Sequence, residues 1–210
     1  MGDLHKTFSV CDYDLEATLA SGQAFRWQRL GQGWEGVIGG RWVRLRLTKG
    51  GIAAEAAKPV RDWAWLEHYL QLHFDLGQAL AMFPDDEPMQ NAVAAFPGLR
   101  LLRQDYWECL ASFILSATKQ IVQIRQMITL LSKRYGEPIA SGGDDPAFAF
   151  PTIEVIAACG EAELRECKLG FRAPNLLGAA RDILDEKIDW QRLPTMTSSE
   201  AREELMKLRG

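Results

Sequence analysis

Gly22 stands between a serine and a glutamine in the segment LASGQAFRW, which covers residues 19–27. Glycine has no Cβ, so it occurs where the backbone needs a positive φ or where the backbone must approach another group closely. The first case predicts a tight turn. The second predicts a binding site in which the backbone itself contacts a ligand. Taken alone, Gly22 fits the turn more simply, and both interpretations stay open at this point.

Basic residues are concentrated in two parts of the chain, although the whole chain has a formal net charge of −4. Residues 17–54 contain six basic residues against one acidic residue, and residues 98–136 contain six against two. Between them, residues 55–97 contain two basic and seven acidic residues. Such segregation is typical either of a phosphate-binding patch on an acidic protein or of an ordinary solvated face.

The residue types that most often bind metals or act as nucleophiles form no known motif. The four cysteines include no CxxC pair, and we expect reduced thiols in the core. His68 and His73 are five residues apart in a predicted helix, so they point to different faces and cannot chelate a metal together. Dinucleotide-binding, phosphate-loop, zinc-protease and serine-hydrolase motifs are absent from the sequence. We therefore expect neither a metal nor a cofactor.

Length and composition allow one large domain or two small ones, because 47% of the 210 residues are hydrophobic. The N-terminus has no apolar signal run, and no stretch approaches the roughly 18 consecutive apolar residues of a membrane span. We expect an intracellular monomer without a membrane segment. Its compartment would be the cytoplasm or nucleoid in a bacterium and the nucleus in a eukaryote.

The first half of the chain has the pattern of an antiparallel meander. Apolar and polar residues alternate between glycine-rich turns, and Gly39-Gly40 is a hairpin signal. Pro59 suits the first turn of a helix that continues from Trp63 to Phe74, and a short amphipathic helix follows within 89–96. The predicted strands cover residues 23–30, 34–38, 41–48 and 52–55.

The second half has helical periodicity. Residues 106–117 are apolar nearly all round and predict a buried helix. Thr118 is a natural N-cap for a second helix that runs to Tyr135. The polar stripe of the first helix consists of Glu108, Ser112 and Ser116.

Further helix starts are marked by their capping residues. A helix is expected near Thr152, another after Pro174, and a third after the capping box formed by Thr197 and Glu200. The sequence thus predicts an α+β chain with the sheet first and the helices second.

Four separated segments occur in the order found in one family. They are LASGQAFRW (19–27), LLRQDYWECLASFILSATKQI (101–121), FPTIEVIAA (150–158) and LRECKLGFRAPNL (164–176). Together they resemble the 8-oxoguanine DNA glycosylases of the helix-hairpin-helix superfamily, over almost the whole chain. The SGQxFRW and KLGxRA motifs are the specific parts, whereas the second segment is shared with 3-methyladenine glycosylases.

The resemblance implies a fold and an activity. The fold is an antiparallel sheet domain likened to TATA-binding protein, here residues 1–97, followed by a helical domain, here residues 98–210. The activity is base-excision repair: the enzyme binds double-stranded DNA, extrudes an oxidised guanine and cleaves its N-glycosidic bond, with associated lyase activity at the abasic site. Extrusion suits this chemistry because the reacting atoms are unreachable inside a stacked duplex.

Base recognition is implied at Gly22 and Gln23. In the family, the glycine of SGQ offers its backbone carbonyl to the hydrogen that oxidised guanine carries at N7 and normal guanine lacks. A desolvated carbonyl left without its partner costs about 1–3 kcal/mol, so a single hydrogen bond would discriminate usefully.

DNA contacts are implied at two further places. The turn Thr118-Lys119-Gln120 matches the loop that fills the gap left by the extruded base, although the family commonly has asparagines there. Gln123 replaces an arginine that reads the orphaned cytosine in eukaryotic enzymes, so strict cytosine preference is not implied. Phe171 and Arg172 match an aromatic wedge and a second arginine on the estranged strand.

The catalytic residues of the family, a nucleophilic lysine and an aspartate, have no counterpart in the sequence. Gly210 matches the first glycine of the hairpin that precedes them, so both are expected beyond Gly210. We expect the 210 residues alone to be inactive and to expose apolar faces on 176–184 and 201–208. The alternatives are a noncatalytic remnant that binds DNA or nothing at all, and an alkylpurine glycosylase of the 3-methyladenine type.

Overall fold

The computed structural model describes residues 2–208, and a five-stranded antiparallel sheet dominates its first half. The strands are β1 (Asp3–Phe8), β2 (Gln28–Leu30), β3 (Gly33–Ile38), β4 (Arg41–Thr48) and β5 (Gly51–Val60). Their order across the sheet is β1-β5-β4-β3-β2. Strands β2 to β5 form the predicted meander, and the Gly39-Gly40 turn joins β3 to β4 as predicted.

Both the first and the last strand differ from the prediction. The sequence pattern does not predict β1, which pairs with β5 at one edge of the sheet. β5 is ten residues long and includes Pro59, so the predicted helix start at Pro59 is wrong. Proline is tolerated there because β1 shifts register between Asp3 and His5 and β4 no longer pairs with this end of β5.

The segment from Ser21 to Trp27 is a loop, and the predicted strand begins only at Gln28. Helix α1 (Leu15–Ala20), which Asp14 caps, leads into this loop. The alternation of apolar and polar residues in this segment therefore does not indicate a strand. Instead, the loop buries Trp27 in the core, whereas its neighbours are half-buried or exposed.

One face of the sheet packs against α1 and helix α2 (Ala64–Leu70) to form a hydrophobic core. The core includes Leu19, Trp27, Val43, Leu45, Ile52, Leu66 and Leu70. The helix predicted to reach Phe74 ends at Leu70, so His73 lies beyond it and Phe74 is 47% exposed. Helices α3 (Leu76–Leu80) and α4 (Glu87–Ala95) follow, and neither contains a buried residue.

The second half is helical, and its first two helices begin and end close to the prediction. These are α5 (Tyr106–Ser116) and α6 (Ile121–Tyr135). The predicted N-cap at Thr118 is wrong, because Gln120 occupies that position. The prediction that α5 is buried is wrong in part, since Phe113 is 72% exposed, although Ser112 of the polar stripe is buried.

Two short paired strands follow α6, β6 (Pro138–Ile139) and β7 (Ala147–Phe148). Four more helices come after them: α7 (Ile153–Ala158), α8 (Glu161–Glu166), α9 (Ala173–Leu184) and α10 (Ser198–Leu205). A 3₁₀ turn (Gly170–Arg172) precedes α9, and a second short 3₁₀ segment (Leu193–Thr195) precedes α10. Thr152 caps α7, and the capping box of Thr197 and Glu200 begins α10, as predicted.

Helix α9 is the centre of this half and packs against α5, α7 and α8. The predicted apolar exposure of 176–184 is therefore wrong for most of this segment, because Leu176 and Ile183 are buried, and it holds only at Leu184, which is 45% exposed. Helix α10 has no buried residue, and Met206 after it is 71% exposed, as expected for that segment. The predicted hairpin glycine, Gly210, lies outside the described residues.

The chain divides into two compact units. The first extends to Asp105 and also takes in Ile139–Ala147, and the second comprises Tyr106–Pro138 and the chain from Phe148 onward. The predicted division lies near residue 98. We refer to these as the sheet unit and the helical unit. The architecture is α+β, as predicted. Within residues 2–208, no helix is both long and apolar enough to cross a membrane.

Candidate nucleic-acid interface

Gly22 lies in the loop that follows α1, and its φ is +85°. This value falls in a region that residues with a side chain rarely adopt, so the backbone conformation itself requires glycine. The residue is partly buried, and within residues 2–208 no hydrogen-bond donor reaches its carbonyl oxygen. The Gly22 carbonyl oxygen is therefore a backbone acceptor without a donor among the residues that the structure describes.

The side chain of Gln23 holds this loop in place. Its Nε2 donates hydrogen bonds to the carbonyl oxygens of Thr18 (3.0 Å) and Arg100 (2.9 Å), and its Oε1 accepts one from the backbone N of Leu102 (2.8 Å). The Gln104 Nε2 also donates to the Gln23 carbonyl oxygen at 2.6 Å. The Gln23 amide is fully engaged with backbone, so it fits a role in positioning Gly22 better than one in contacting a base.

A buried polar layer beneath the loop completes the anchor. Thr18 donates to the Asp14 carbonyl oxygen at 2.6 Å and accepts from the backbone N of Arg100 at 3.1 Å. The Arg100 guanidinium lies 5.3 Å from the centre of the Tyr13 ring and donates to the Gly98 carbonyl oxygen at 3.1 Å. Because these groups are buried and paired, the segment 98–102 forms a rigid support for the loop.

A cavity of about 850 Å³ in the sheet unit shares part of this support. The residues that line it include Tyr13, Gly98, Arg100 and three aspartates, Asp12, Asp14 and Asp75. Three acidic residues around one opening disfavour phosphate, so we do not include this cavity in the nucleic-acid interface.

In the helical unit, residues 117–120 form the tight turn between α5 and α6. Thr118 has φ +56°, and the Lys119 N–H donates to the Ser116 carbonyl oxygen at 3.0 Å. The side chain of Gln123 accepts a hydrogen bond from the Gln120 N–H at 3.3 Å and so helps to begin α6. The structure places these four predicted DNA-binding residues together, with Thr118, Gln120 and Gln123 exposed and Lys119 half-buried.

Arg172 is brought to the same turn from the 3₁₀ turn. Only 1% of Arg172 is exposed, which differs from the exposed position expected of a residue that reads DNA directly. Its Nη2 donates to the Ala117 carbonyl oxygen and to the Thr118 Oγ1, the latter at 2.7 Å. Its guanidinium also lies 4.1 Å from the centre of the Phe171 ring, which is 61% exposed.

Two exposed apolar side chains on α5 and α6 were missed by the periodicity analysis. Phe113 is 72% exposed and Val122 is 74% exposed. A helix that is apolar nearly all round does not reveal which face meets solvent, so the sequence pattern held no signal for Phe113.

The electrostatics of α5 and α6 favour an anionic partner. No aspartate or glutamate occurs from Cys109 to Gly136. Arg134 on α6 pairs with Glu166, whereas Lys119 has no carboxylate partner within the described chain. The positive charge of the turn is therefore available to a phosphate.

Two lysines of the helical unit are held by carboxylates. Hydrogen bonding to Asp182 raises the pKa of Lys187, which is the opposite of the lowered pKa that a nucleophilic amine needs. Lys207 is paired with Glu204. Groups of three or more metal-ligating side chains are also absent from residues 2–208.

Comparison with known proteins decides the family. Residues 7–110 match the family model for the N-terminal domain of 8-oxoguanine DNA glycosylase. The chain belongs to the 8-oxoguanine DNA glycosylase family. The match covers β2 to β5, the end of β1, the Gly22 loop, its support at 98–102 and the start of α5.

Individual members of the 8-oxoguanine DNA glycosylase family are similar over more of the chain. The N-glycosylase/DNA lyase OGG1 of Arabidopsis thaliana is 28% identical over 176 residues, which are 80% of this chain. A solved structure of MBOgg1 with a low-affinity DNA ligand has a TM-score of 0.91 at 28% identity, and it covers 99% of this chain and 72% of that one.

A third 8-oxoguanine glycosylase/lyase, from Clostridium acetobutylicum, was solved with double-stranded DNA that has cytosine opposite 8-oxoguanine. It gives a TM-score of 0.89 at 25% identity, and it covers 99% of this chain and 74% of that one. The chain spans only 48% of the length of the Arabidopsis relative.

Proposed function

We propose that this chain recognises oxidised guanine in double-stranded DNA as part of a base-excision repair glycosylase with associated lyase activity at abasic sites. The observation that carries the proposal is the Gly22 carbonyl, which lies in a backbone conformation that favours glycine, has no donor among residues 2–208 and is held in place by the Gln23 side chain. Family membership and the DNA-bound relatives support the same function.

The proposed recognition of oxidised guanine depends on a single hydrogen atom, the one bound to N7. Oxidised guanine carries an N–H at N7, which donates to a carbonyl oxygen, whereas normal guanine has a lone pair there. With normal guanine, the desolvated carbonyl would face an acceptor and stay unpaired, at a cost of about 1–3 kcal/mol. Because the anchored loop cannot turn the carbonyl away cheaply, this cost becomes a preference for the damaged base.

The helical unit would supply the strand contacts. We assign the gap in the duplex to the turn 117–120 and the wedge between bases to Phe171, whose exposed ring can unstack a step. Lys119 is assigned to a phosphate. We also propose that the protein acts as a monomer inside the cell. We assign base recognition and base extrusion to these residues, and we assign cleavage of the glycosidic bond to none of them.

The test measures binding of the full chain to duplexes that differ at one base. We expect tighter binding to oxidised guanine than to guanine. We also expect an N7-methylated oxidised guanine, which keeps the C8 oxygen and lacks the N7 hydrogen, to bind like guanine. The variant Gly22→Ala should lose the preference by about fivefold or more, and its salt-dependent nonspecific binding should stay unchanged.

Gly40→Ala is the matched control, since Gly40 also has a positive φ (+73°) and a Cβ there would meet open space. The control should be destabilised to a similar extent and keep the preference for the damaged base. Equal loss of lesion and nonspecific binding in Gly22→Ala would instead assign Gly22 to the fold.

A further inference from the structure

We propose that the cavity in the sheet unit is a docking site for a basic segment of another protein, one that carries arginine or lysine together with leucine or phenylalanine side chains. Residues of α3 and of the segments 11–14 and 97–98 line this cavity. Its volume of about 850 Å³ lies within the range of about 300–1,000 Å³ that is common for ligand sites. The proposed recognition of DNA does not use this cavity.

One wall of the cavity is rigid. The Asp14 N–H donates to the Gly98 carbonyl oxygen at 2.8 Å, and a Cβ at Gly98 would lie only 2.5 Å from the Asp14 N, so the two segments pack backbone against backbone. The Arg100 guanidinium donates to the same carbonyl oxygen and lies over the Tyr13 ring. The Tyr13 hydroxyl in turn donates to the Leu70 carbonyl oxygen at 3.0 Å. Because this wall is already ordered, binding a partner costs less conformational entropy.

The charge of the lining is negative. Three aspartates line the cavity, Asp12, Asp14 and Asp75, and none of them forms an ion pair among residues 2–208. Arg100, the basic residue in the lining, is only 7% exposed. Residues 62–99, which include α3, contain six acidic residues and neither lysine nor arginine. An acidic opening of this kind attracts a cationic partner and speeds its association.

The three aspartates of the lining do not form a metal site. Groups of three or more histidine, cysteine, aspartate or glutamate side chains that could hold a metal ion are absent from the described part of the chain. The negative charge is therefore spread around the opening, where it suits several positive charges on one partner segment better than a single ion. The same charge disfavours the phosphates of a nucleic acid.

The apolar part of the lining is accessible to a partner. Leu47 on β4 is 58% exposed and Phe74 is 47% exposed, and Leu76 and Leu80 of α3 are half-buried. A leucine or phenylalanine of a partner that packs on these side chains would remove their apolar surface from water, which stabilises the complex.

In the sequence, exposed apolar side chains continue beyond the residues that line the cavity. Met82 and Phe83, which follow α3, are 85% and 46% exposed, and Phe96, which precedes the lining residue Pro97, is 56% exposed. Neither α3 nor α4 contains a buried residue. So much exposed apolar surface together with an acidic opening fits a chain segment of a partner protein better than a compact small molecule.

The first experiment selects peptides and contains no DNA, so its outcome does not depend on the proposed function. A library of random dodecapeptides displayed on phage is bound to the full chain. We expect the selected peptides to be enriched, relative to the starting library, in arginine or lysine and in leucine or phenylalanine. The most enriched peptide is then synthesised with a fluorescent label, and its dissociation constant is measured by fluorescence anisotropy.

Asparagine substitutions test the acidic residues without disturbing the backbone. Asparagine tolerates the left-handed φ of Asp12 (+52°) and can cap α3 as Asp75 does, so the double variant Asp12→Asn with Asp75→Asn should fold. It should bind the peptide about fivefold more weakly or worse. The matched control is Asp85→Asn with Asp86→Asn, which removes the same charge outside the lining and keeps the cap of α4. The control should change the affinity by about twofold at most at physiological salt.

Threonine substitutions test the apolar contact. Leu47→Thr shortens an exposed side chain in the lining and introduces a residue that suits a strand. We expect it to weaken peptide binding about fivefold or more. Leu30→Thr is the matched control, because Leu30 on β2 is equally exposed, at 58%, and lies outside the lining. This control should bind the peptide as tightly as the unmodified chain, and circular dichroism checks that every variant is folded.

Cysteine alkylation locates the bound peptide without any substitution. Cys11 is exposed and lines the cavity, whereas the exposed Cys109 lies in the helical unit. With free peptide at about ten times its dissociation constant, iodoacetamide should alkylate Cys11 about tenfold more slowly, because the bound peptide covers the thiol. The rate at Cys109 should stay unchanged, and mass spectrometry of the digested protein measures both rates.

Each of the following results overturns the proposal. A selection that enriches no peptide, or only peptides without arginine and lysine, would contradict the assigned partner. Full affinity in the aspartate double variant or in Leu47→Thr, or alkylation of Cys11 that the peptide does not slow, would show that the peptide binds elsewhere. Self-association of the unmodified chain in sedimentation velocity, lost in Leu47→Thr and kept in Leu30→Thr, would make a second copy of this chain the occupant.

Discussion

The indole N–H of Trp27 donates a hydrogen bond of 2.9 Å to the hydroxyl of Tyr69, and both side chains are buried. Trp27 ends the loop that begins with Gly22, and Tyr69 lies on α2. The hydrogen bond therefore fastens the far end of the loop to a helix, while the Gln23 amide fastens its near end to the segment 98–102. A loop held at both ends can present a carbonyl in a fixed direction.

Tyr69→Phe removes the acceptor and leaves the Trp27 N–H buried without it. We expect the free energy of unfolding to fall by about 1–3 kcal/mol, measured by urea denaturation. The preference for oxidised guanine should fall as well, because the loop loses its far anchor. Tyr106→Phe, at a residue that is 51% exposed, should change the stability by no more than about 0.5 kcal/mol. A Tyr69→Phe variant as stable as the unmodified protein would contradict this account of the anchor.

Gly142 packs directly on the indole of Trp42. A Cβ at Gly142 would lie 2.2 Å from the Trp42 Cη2, whereas a Cβ at the neighbouring Gly143 would meet no atom within 4 Å. Gly142→Ala should destabilise the sheet unit by about 1–3 kcal/mol through overpacking and shift the tryptophan fluorescence. Gly143→Ala should do neither. Equal effects of the two substitutions would mean that the segment 139–147 does not rest on Trp42 in solution.

Tyr135 makes the stability depend on alkaline pH. Burial, together with the nearby thiol of Cys159, raises the pKa of Tyr135 to about 12. An unfolded tyrosine loses its proton near pH 10, so above about pH 10 the unfolded chain ionises while the folded chain keeps the proton. The free energy of unfolding is therefore expected to fall between about pH 10 and 12, and to be independent of this group below that range.

Tyr135→Phe should make this alkaline fall shallower in urea denaturation at a series of pH values. Part of the fall should remain, because burial also raises the pKa of Tyr13. Tyr106→Phe should leave the profile as steep as before. An identical profile for Tyr135→Phe and the unmodified chain would show that the Tyr135 hydroxyl is solvated in the folded state.

Lys119 is expected to contact one phosphate. Lys119→Ala should weaken binding to damaged and undamaged duplexes alike and reduce the slope of log K against log salt by about 0.9. Lys133→Ala, an exposed lysine near the other end of α6, should leave the slope unchanged. If both substitutions reduce the slope by the same amount, DNA binding depends on the positive charge of the whole surface and not on a specific phosphate contact at the turn.

Local sequence patterns predicted much of the fold correctly. β3, β4 and the Gly39-Gly40 turn follow from alternation and turn chemistry, which act between residues close in sequence. The capping residues at Thr152 and Thr197 predicted two helix starts for the same reason. The predictions failed where residues distant in sequence determine the secondary structure. An example is β1, which pairs with a strand more than 40 residues away.

For the candidate site, the sequence by itself predicted which residues to consider and determined the family to which the chain belongs. The tertiary structure alone decided what their side chains do. The Gln23 amide bonds Leu102, 79 residues away, and the Arg172 guanidinium bonds Ala117, 55 residues away. Hydrogen bonds over such separations leave no periodic trace in the sequence, because they depend on how packed elements bring distant backbone groups together. The sequence left Gly22 open between a turn and a close approach; its φ favours glycine, and no donor among residues 2–208 reaches its carbonyl oxygen, which is why we propose that this group binds the ligand.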